Sequence, residues 1–244
     1  AHLFQEQDYG VMLAAGDTAG AQQAIDNARG NIIAPFLGTV NESADIMMTS
    51  SQISTQANGD VLVLTGGKID VGKSAIGSTT TSADSDKNTG IYTAIGGDIN
   101  IFAMGDINVN EARVMTFMGG DITVWSDDGD VNAGRGSRTA ISAIPPRSYI
   151  EEINGVKTVV TKFVIPAVGS GIRAMTYDPD GAGPITAPEP GVLHVFAPAG
   201  IVDAGEAGME GKSAFIGGVQ VLNTQNMSFS QGAVGIPAQT QSVN

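Results

Sequence analysis

Alternating apolar and polar positions fall in four windows that share one register. Gly59-Asp60, Gly97-Asp98, Gly120-Asp121 and Pro190-Gly191 each open such a run, and the runs close at Gly67, Gly105, Gly129 and Gly200. Val61/Val63, Ile99/Ile101, Ile122/Val124 and Val192/Val195 carry the alternation, with Leu64, Phe102, Trp125 and Phe196 each five residues beyond the opening glycine. A period of two bounded by turn residues predicts a short strand, here written four times. The two adjacent copies are offset by 23 residues, from Gly97 to Gly120 and from Phe102 to Trp125. That period is too short for a helical hairpin and suits one coil of a parallel β-helix (solenoid), whose coils stack about 4.8 Å apart. The expected fold class is therefore all-β. Ile99 then lies over Ile122, and Leu64, Phe102, Trp125 and Phe196 form a stacked ladder.

Such a coil must turn sharply without leaving register, which calls for positive φ or for a side chain that caps its own turn. Gly59, Asp60, Gly97, Asp98, Gly105, Asp106, Gly120, Asp121, Gly129, Asp130, Gly191 and Gly200 are read as these corners.

The same reading divides the chain. Residues 1–44 form an N-terminal cap segment, in which Asp17 or Thr18 starts a short helix with Ala21, Ala24, Ile25 and Ala28 on one face and Gly30 just past its end. Such a helix would cover the first coil; Phe4, Tyr9, Val11 and Leu13 offer an extended strand as the alternative. Residues 45–136 hold coils interrupted by a polar loop over 74–90. Residues 137–190 hold seven of the ten prolines and read as an insertion off the coil axis, carrying a hairpin over 149–165 that turns at Asn154-Gly155. Coils resume over 191–230, and 231–244 is a small polar tail, either frayed or docked.

Composition narrows the function classes. The net charge of −13, with 12 Lys and Arg dispersed, leaves no basic stripe to follow a phosphate backbone, so no nucleic-acid partner is expected. No apolar run approaches a membrane span. The absence of cysteine excludes disulfides and thiolate metal sites. No cofactor is expected, with calcium the one candidate. Asp84, Asp86 and Asn88 place oxygen ligands at alternate positions, although no glutamate closes the loop, and an exposed Asx-rich loop is the competing account. Asp178-Pro-Asp180-Gly181 is a further fragment of that kind and reads as a turn.

Catalysis on a β-helix needs paired carboxylates facing a sugar-sized groove. Asp127, Asp128 and Asp130 are the densest acidic set, with Arg135 and Arg138 nearby, yet each aspartate also fits a turn, and no nucleophile-base pair accompanies them. No enzyme is expected. Glycan stacking on Trp125, Tyr92, Tyr149 or Tyr177 is the remaining alternative, against packing of these rings in the core or at corners. His194, between Leu193 and Val195, is expected to face solvent.

Arg113 to Ser126 (RVMTFMGGDITVWS), Gly129 to Gly136 (GDVNAGRG), Pro145-Pro146, Ala197 to Gly205 (APAGIVDAG) and Val221-Leu222-Asn223 together resemble the C-terminal region of large filamentous-haemagglutinin-like exoproteins. The resemblance covers roughly residues 90 to 237. It implies a right-handed β-helix, secreted by a Gram-negative bacterium to the cell surface, that acts in adhesion and biofilm cohesion. The chain does not contain that family's large N-terminal secretion domain and is far shorter, so a processed piece, an excised segment and a stand-alone relative are all open readings. The expected function is that of a non-enzymatic structural protein, an adhesin unit or self-assembling extracellular fibre joined head to tail through open β-helix ends. Its expected partners are further copies of itself and a host, matrix or glycan surface. A polysaccharide-binding or polysaccharide-cleaving β-helix is the alternative.

Overall fold

The computed structural model describes residues 12, 15–33, 44–72, 89–135, 147–162, 169–176 and 186–236. Among the described residues helix α1 (Thr18–Ile33) is followed by strands that recur in groups of three. The first pass contributes β1 (Ile46–Met48), β2 (Gln52–Thr55) and β3 (Val61–Thr65). The second contributes β4 (Ile69–Val71), β5 (Gly90–Thr93) and β6 (Ile99–Ala103), and the third β7 (Ile107–Asn108), β8 (Arg113–Thr116) and β9 (Ile122–Ser126). After β10 (Val131–Asn132) comes an excursion with β11 (Arg147–Ile153) and β12 (Val156–Lys162). The pass then resumes with β13 (Gly171–Ala174) and the long β14 (Val192–Asp203). β15 (Met209–Gly211), β16 (Ser213–Leu222), β17 (Met227–Phe229) and β18 (Ala233–Val234) complete the order.

Equivalent strands of successive passes pair with one another. β3, β6, β9, the start of β14, the start of β16 and β18 form one parallel ladder. β1, β4, β7, β10 and the later parts of β14 and β16 form a second. The two are joined because β14 and β16 run from one into the other, so together they count as a single ten-stranded sheet. β2, β5, β8, β13, β15 and β17 form a separate six-stranded parallel sheet. Among the described residues only β11 and β12 pair antiparallel.

The register explains the core. Val61, Ile99, Ile122, Leu193 and Ala214 are direct partners in one column, Ile46, Ile69, Ile107, Val131 and Val202 in another, and Ile91, Val114, Ile172 and Met209 in a third. The buried members of all three columns share one apolar cluster. Period-two alternation sends one side of each strand into that cluster and the other side away from it. Phe102, Trp125 and Phe196 stand an odd number of residues from Ile99, Ile122 and Leu193, so their column faces outward.

Several expectations need correction. Helix α1 does not close the first pass; it lies across the outward aromatic column, with Ala21, Ile25 and Ala28 buried against Phe102, Trp125 and Phe196. It also runs through Gly30 to Ile33, because a glycine inside a helix costs only about 1 kcal/mol relative to alanine and tertiary docking outweighs that. Residues 137–190 are not wholly an insertion: β13 lies between β8 and β15 in the six-stranded sheet. Proline is disfavoured inside a regular paired strand but not before or after one, and in sequence Pro166 and Pro179 stand on either side of β13, whose four residues include none. Gly200 does not end a strand, since β14 passes through it with a register irregularity between Ala197 and Ile201. Val192 pairs with Ser213 outside the core columns, and Leu193 takes the buried place. Pairing also extends beyond residue 230, to β18.

The hairpin turns at Asn154-Gly155, with φ of 53° and 79°, both left-handed as a two-residue turn of this kind requires. Its strands span 147–153 and 156–162. The segment containing Asp84, Asp86 and Asn88, the Asp178–Gly181 turn, Arg138, Tyr177 and the N-terminal alternative strand lie outside the described residues.

Candidate functional site

The Gly-Asp corners do more than turn the chain. Asp60 Oδ1 accepts a hydrogen bond from the backbone N–H of Asp98 at 2.9 Å, Asp98 Oδ1 from Asp121 at 2.8 Å, and Asp121 Oδ1 from Val192 at 2.8 Å. At the next corner Asp45 Oδ1 accepts from Lys68 at 3.0 Å, Asp106 Oδ1 from Asp130 at 2.9 Å, and Asp130 Oδ1 from Ile201 at 2.7 Å. These carboxylates cap the following rung rather than their own turn, which corrects the sequence expectation. The physical reason is accounting: a corner N–H between two ladders needs an acceptor, and a short acceptor-only side chain one rung away supplies it. Hydrogen bonds to a charged group contribute about 1.5–3 kcal/mol each, with exposed ones at the low end.

A third column mixes amides with acids. Asn108 Nδ2 donates to Asp70 at 3.1 Å, Asn132 Nδ2 to Asp203 at 3.5 Å and Asn223 Nδ2 to Asp203 at 2.6 Å. Threonine hydroxyls fasten the opening glycines from behind: Thr55 donates to Gly59 O, Thr93 to Gly97 O and Thr116 to Gly120 O, at 2.6, 2.9 and 2.9 Å. The sequence reading missed this set. Its signal was available, since each threonine stands four residues before the glycine it binds.

The glycines at 97, 120 and 191 are stacked carbonyl to Cα. A Cβ on Gly120 would sit 2.2 Å from Gly97 O, and one on Gly191 would sit 1.9 Å from Gly120 O. Gly105 belongs to the same arrangement at the other corner, donating its N–H to Gly67 O at 3.0 Å. Gly129 and Gly200 face the backbone of the preceding rung there, at Asp106 N and Gly129 O.

On the outward aromatic face, Trp125 and Phe196 pack at 5.5 Å between ring centroids. Leu64 pairs in register with Phe102 but is 46% exposed and lies outside the cluster under α1. Arg29, near the end of α1, donates through Nε to Asp127 at 3.0 Å and through Nη2 to Asp128. Asp127 also accepts from the Trp125 indole N–H at 3.4 Å. The acidic set singled out in the sequence is thus an anchor for the helix. No sequence signal pointed to Arg29, which lies 98 residues from Asp127. Asp130 is separate, engaged with the corner N–H of Ile201.

Burial pushes the Asp127 carboxyl above its ordinary range, and the Arg29 guanidinium and the indole N–H only partly offset this. Because its folded pKa is raised, the folded state binds the proton more readily than the unfolded chain, so the contribution of Asp127 to stability declines as pH rises through the raised value. The expected result is that the Tm of the wild type minus that of Asp127→Asn falls between about pH 4, the unfolded carboxylate range, and neutrality. Thermal melts of both proteins across that range check it; the opposite slope means that the Arg29 ion pair outweighs burial.

The remaining singled-out residues are structural in their surroundings. His194 faces away from the core, as expected, but is only 9% exposed and stacks on Phe215 at 5.5 Å and 3°, so its solvent exposure is corrected. Tyr92 is buried against Phe117 and donates to Gln52 Oε1. Among the described residues no cluster of three or more metal-binding side chains occurs, and no helix is long and apolar enough to cross a membrane.

The ends of the ladders differ from their middle. Among the described residues β1, β2 and β3 have no partner on their leading edges, nor have β17 and β18 on their trailing edges. Met47 and Leu62 on the first pass are 69% and 63% exposed.

A family model described as filamentous haemagglutinin family outer membrane protein matches residues 119–238. Neither curated proteins nor solved structures give a match.

Proposed function

Residues 119–238 belong to the filamentous haemagglutinin family, and from this membership and the ladder geometry we propose that the chain is a non-enzymatic structural unit of a surface adhesin, built as a right-handed parallel β-helix. The observation that carries the reading is the unbroken column Val61, Ile99, Ile122, Leu193, Ala214, Ala233, in which each residue is the parallel partner of the next. Strands in chain order go to three different ladders and return to the first, which is how a three-faced coil is wound. Such a scaffold is quasi-one-dimensional, stiff along its axis and lengthened simply by adding rungs. Those are the properties an adhesive rod needs.

The family description supports a location at the cell surface or outside a Gram-negative bacterium. In this reading the rods associate head to tail into an extracellular fibre, through strand edges left open at the ends of the stack. Adhesion to a host, matrix or glycan surface and cohesion of a biofilm are the roles assigned to it. Asp127 and Asp128 hold Arg29 and Asp130 caps a rung, which supports structural rather than catalytic use of these acids.

Negative-stain imaging of the purified chain over a concentration series tests the reading. Rods that lengthen into fibres as concentration rises are the expected result. Compact particles at every concentration overturn the fibre.

A further inference from the structure

The columns that face away from the core change character at their two ends. On the second ladder, the outward column runs Met47, Asp70, Asn108, Asn132, Asp203, Leu222. On the first it runs Leu62, Asn100, Thr123, His194, Phe215, Val234. The second column is polar throughout its interior and apolar only at its two terminal members. The first opens on an exposed leucine followed by Asn100 and Thr123, and closes on the apolar pair Phe215 and Val234. Met47, Ile53, Leu62 and Leu64, all on the first rung, are exposed large hydrophobic residues standing together, whereas a free strand edge in a soluble protein is normally guarded by charge or proline.

Resting on the assembly reading above, we infer that the last rung of one copy docks on the first rung of the next in a single register, with Val234 against Leu62, Leu222 against Met47, and Met227 against Ile53. The core columns continue across this joint: Val221 meets Ile46 and Ala233 meets Val61, each apolar on apolar. On the third ladder the outward column begins at Ser54 and ends at Ser228, so two hydroxyls meet there.

The occupant is a second copy rather than a peptide, because three edges must be paired at once in fixed mutual geometry. A single added strand covers only one of them. Head-to-tail polarity follows from the ladders, which are parallel at both ends of the stack. Last rung on first continues all three in parallel, whereas two first rungs related by a two-fold axis would have to pair antiparallel and the columns would not continue.

The absence of cysteine allows a direct test by disulfide trapping in the full chain. Leu62 and Val234 are five rung spacings apart within one molecule, roughly 24 Å, so a disulfide between cysteines placed there can form only between molecules. Under mild oxidation, Leu62→Cys/Val234→Cys and Met47→Cys/Leu222→Cys are expected to give a ladder of dimers, trimers and longer species on non-reducing gels, collapsing to monomer in reductant. The off-register pair Met47→Cys/Val234→Cys is expected to give at least tenfold less of any species above dimer. Equal ladders from all three pairs overturn the register, as does Leu62→Cys alone dimerising as efficiently as the double variant, which would mean head-to-head contact. Fibres in electron micrographs without trapping by either in-register pair also overturn it while leaving the assembly reading standing. Loss of both fibres and trapping removes both.

Discussion

Replacing Trp125 by alanine is expected to destabilise the protein by about 3–5 kcal/mol, the range for truncating a large buried aromatic side chain. Three effects converge on this residue. Its ring is the middle of the outward column, in contact with Phe196 and paired in register with Phe102. It is also the main surface on which α1 rests, because the buried face of that helix is Ala21, Ile25 and Ala28, side chains too small to hold a helix by themselves. Its indole N–H is a partner of the buried Asp127 carboxyl, which would keep only Arg29. For a chain of this size the loss corresponds to a fall in Tm of roughly 10 °C. Trp125→Phe keeps the ring and drops only the indole nitrogen and some volume, and is expected to lose less than half as much. Limited proteolysis separates local from global loss: cleavage within residues 18–33 should precede cleavage within the ladders in Trp125→Ala. If both regions are cut together, α1 is not an independently docked element.

How much of this could be read from residues alone depends on the range of the interaction. The 23-residue offset, the glycine columns and the Asn154-Gly155 turn are local or strictly periodic, so spacing exposed them. The parity of Phe102 and Trp125 against Ile99 and Ile122 was equally legible, and it sends the aromatic rings to the outer face. What covers that face was not legible. An alanine-rich helical stripe has no preference between capping a rung and lying on a side, and the Arg29 anchor joins residues far apart in the chain. β13 escaped notice because four residues opening on a glycine, in a stretch rich in proline, carry too little pattern to be told from a loop. The capping direction of the aspartates was hidden for another reason. A carboxylate that caps its own turn and one that reaches to the next rung call for the same dipeptide, and only the stacking distinguishes them. His194 was misjudged because alternation gives the side of a strand and not what stacks beside it, here the Phe215 ring.

Gly120→Ala is expected to be as damaging as the loss of Trp125, by a mechanism that involves no core side chain. Gly120 has φ of 99°, in a region where an L-residue is strained by about 1–3 kcal/mol. Its new Cβ would also lie 2.2 Å from Gly97 O, and overpacking of that kind adds a further ~1–3 kcal/mol. The carbonyl cannot move aside cheaply, since Thr93 holds it by a 2.9 Å hydrogen bond and the adjacent Asp98 carboxylate binds the N–H of Asp121. The substitution therefore pushes two rungs apart at the corner where both are tied. Gly155→Ala is the control that separates strain from crowding: its φ of 79° is also left-handed, but a Cβ there meets nothing within 4 Å. It should show only the conformational penalty, about 1–2 kcal/mol, confined to the hairpin. Chemical denaturation of both variants measures the difference. Equal losses would mean that backbone conformation alone selects these glycines, and that the close approach of successive rungs contributes nothing to the choice.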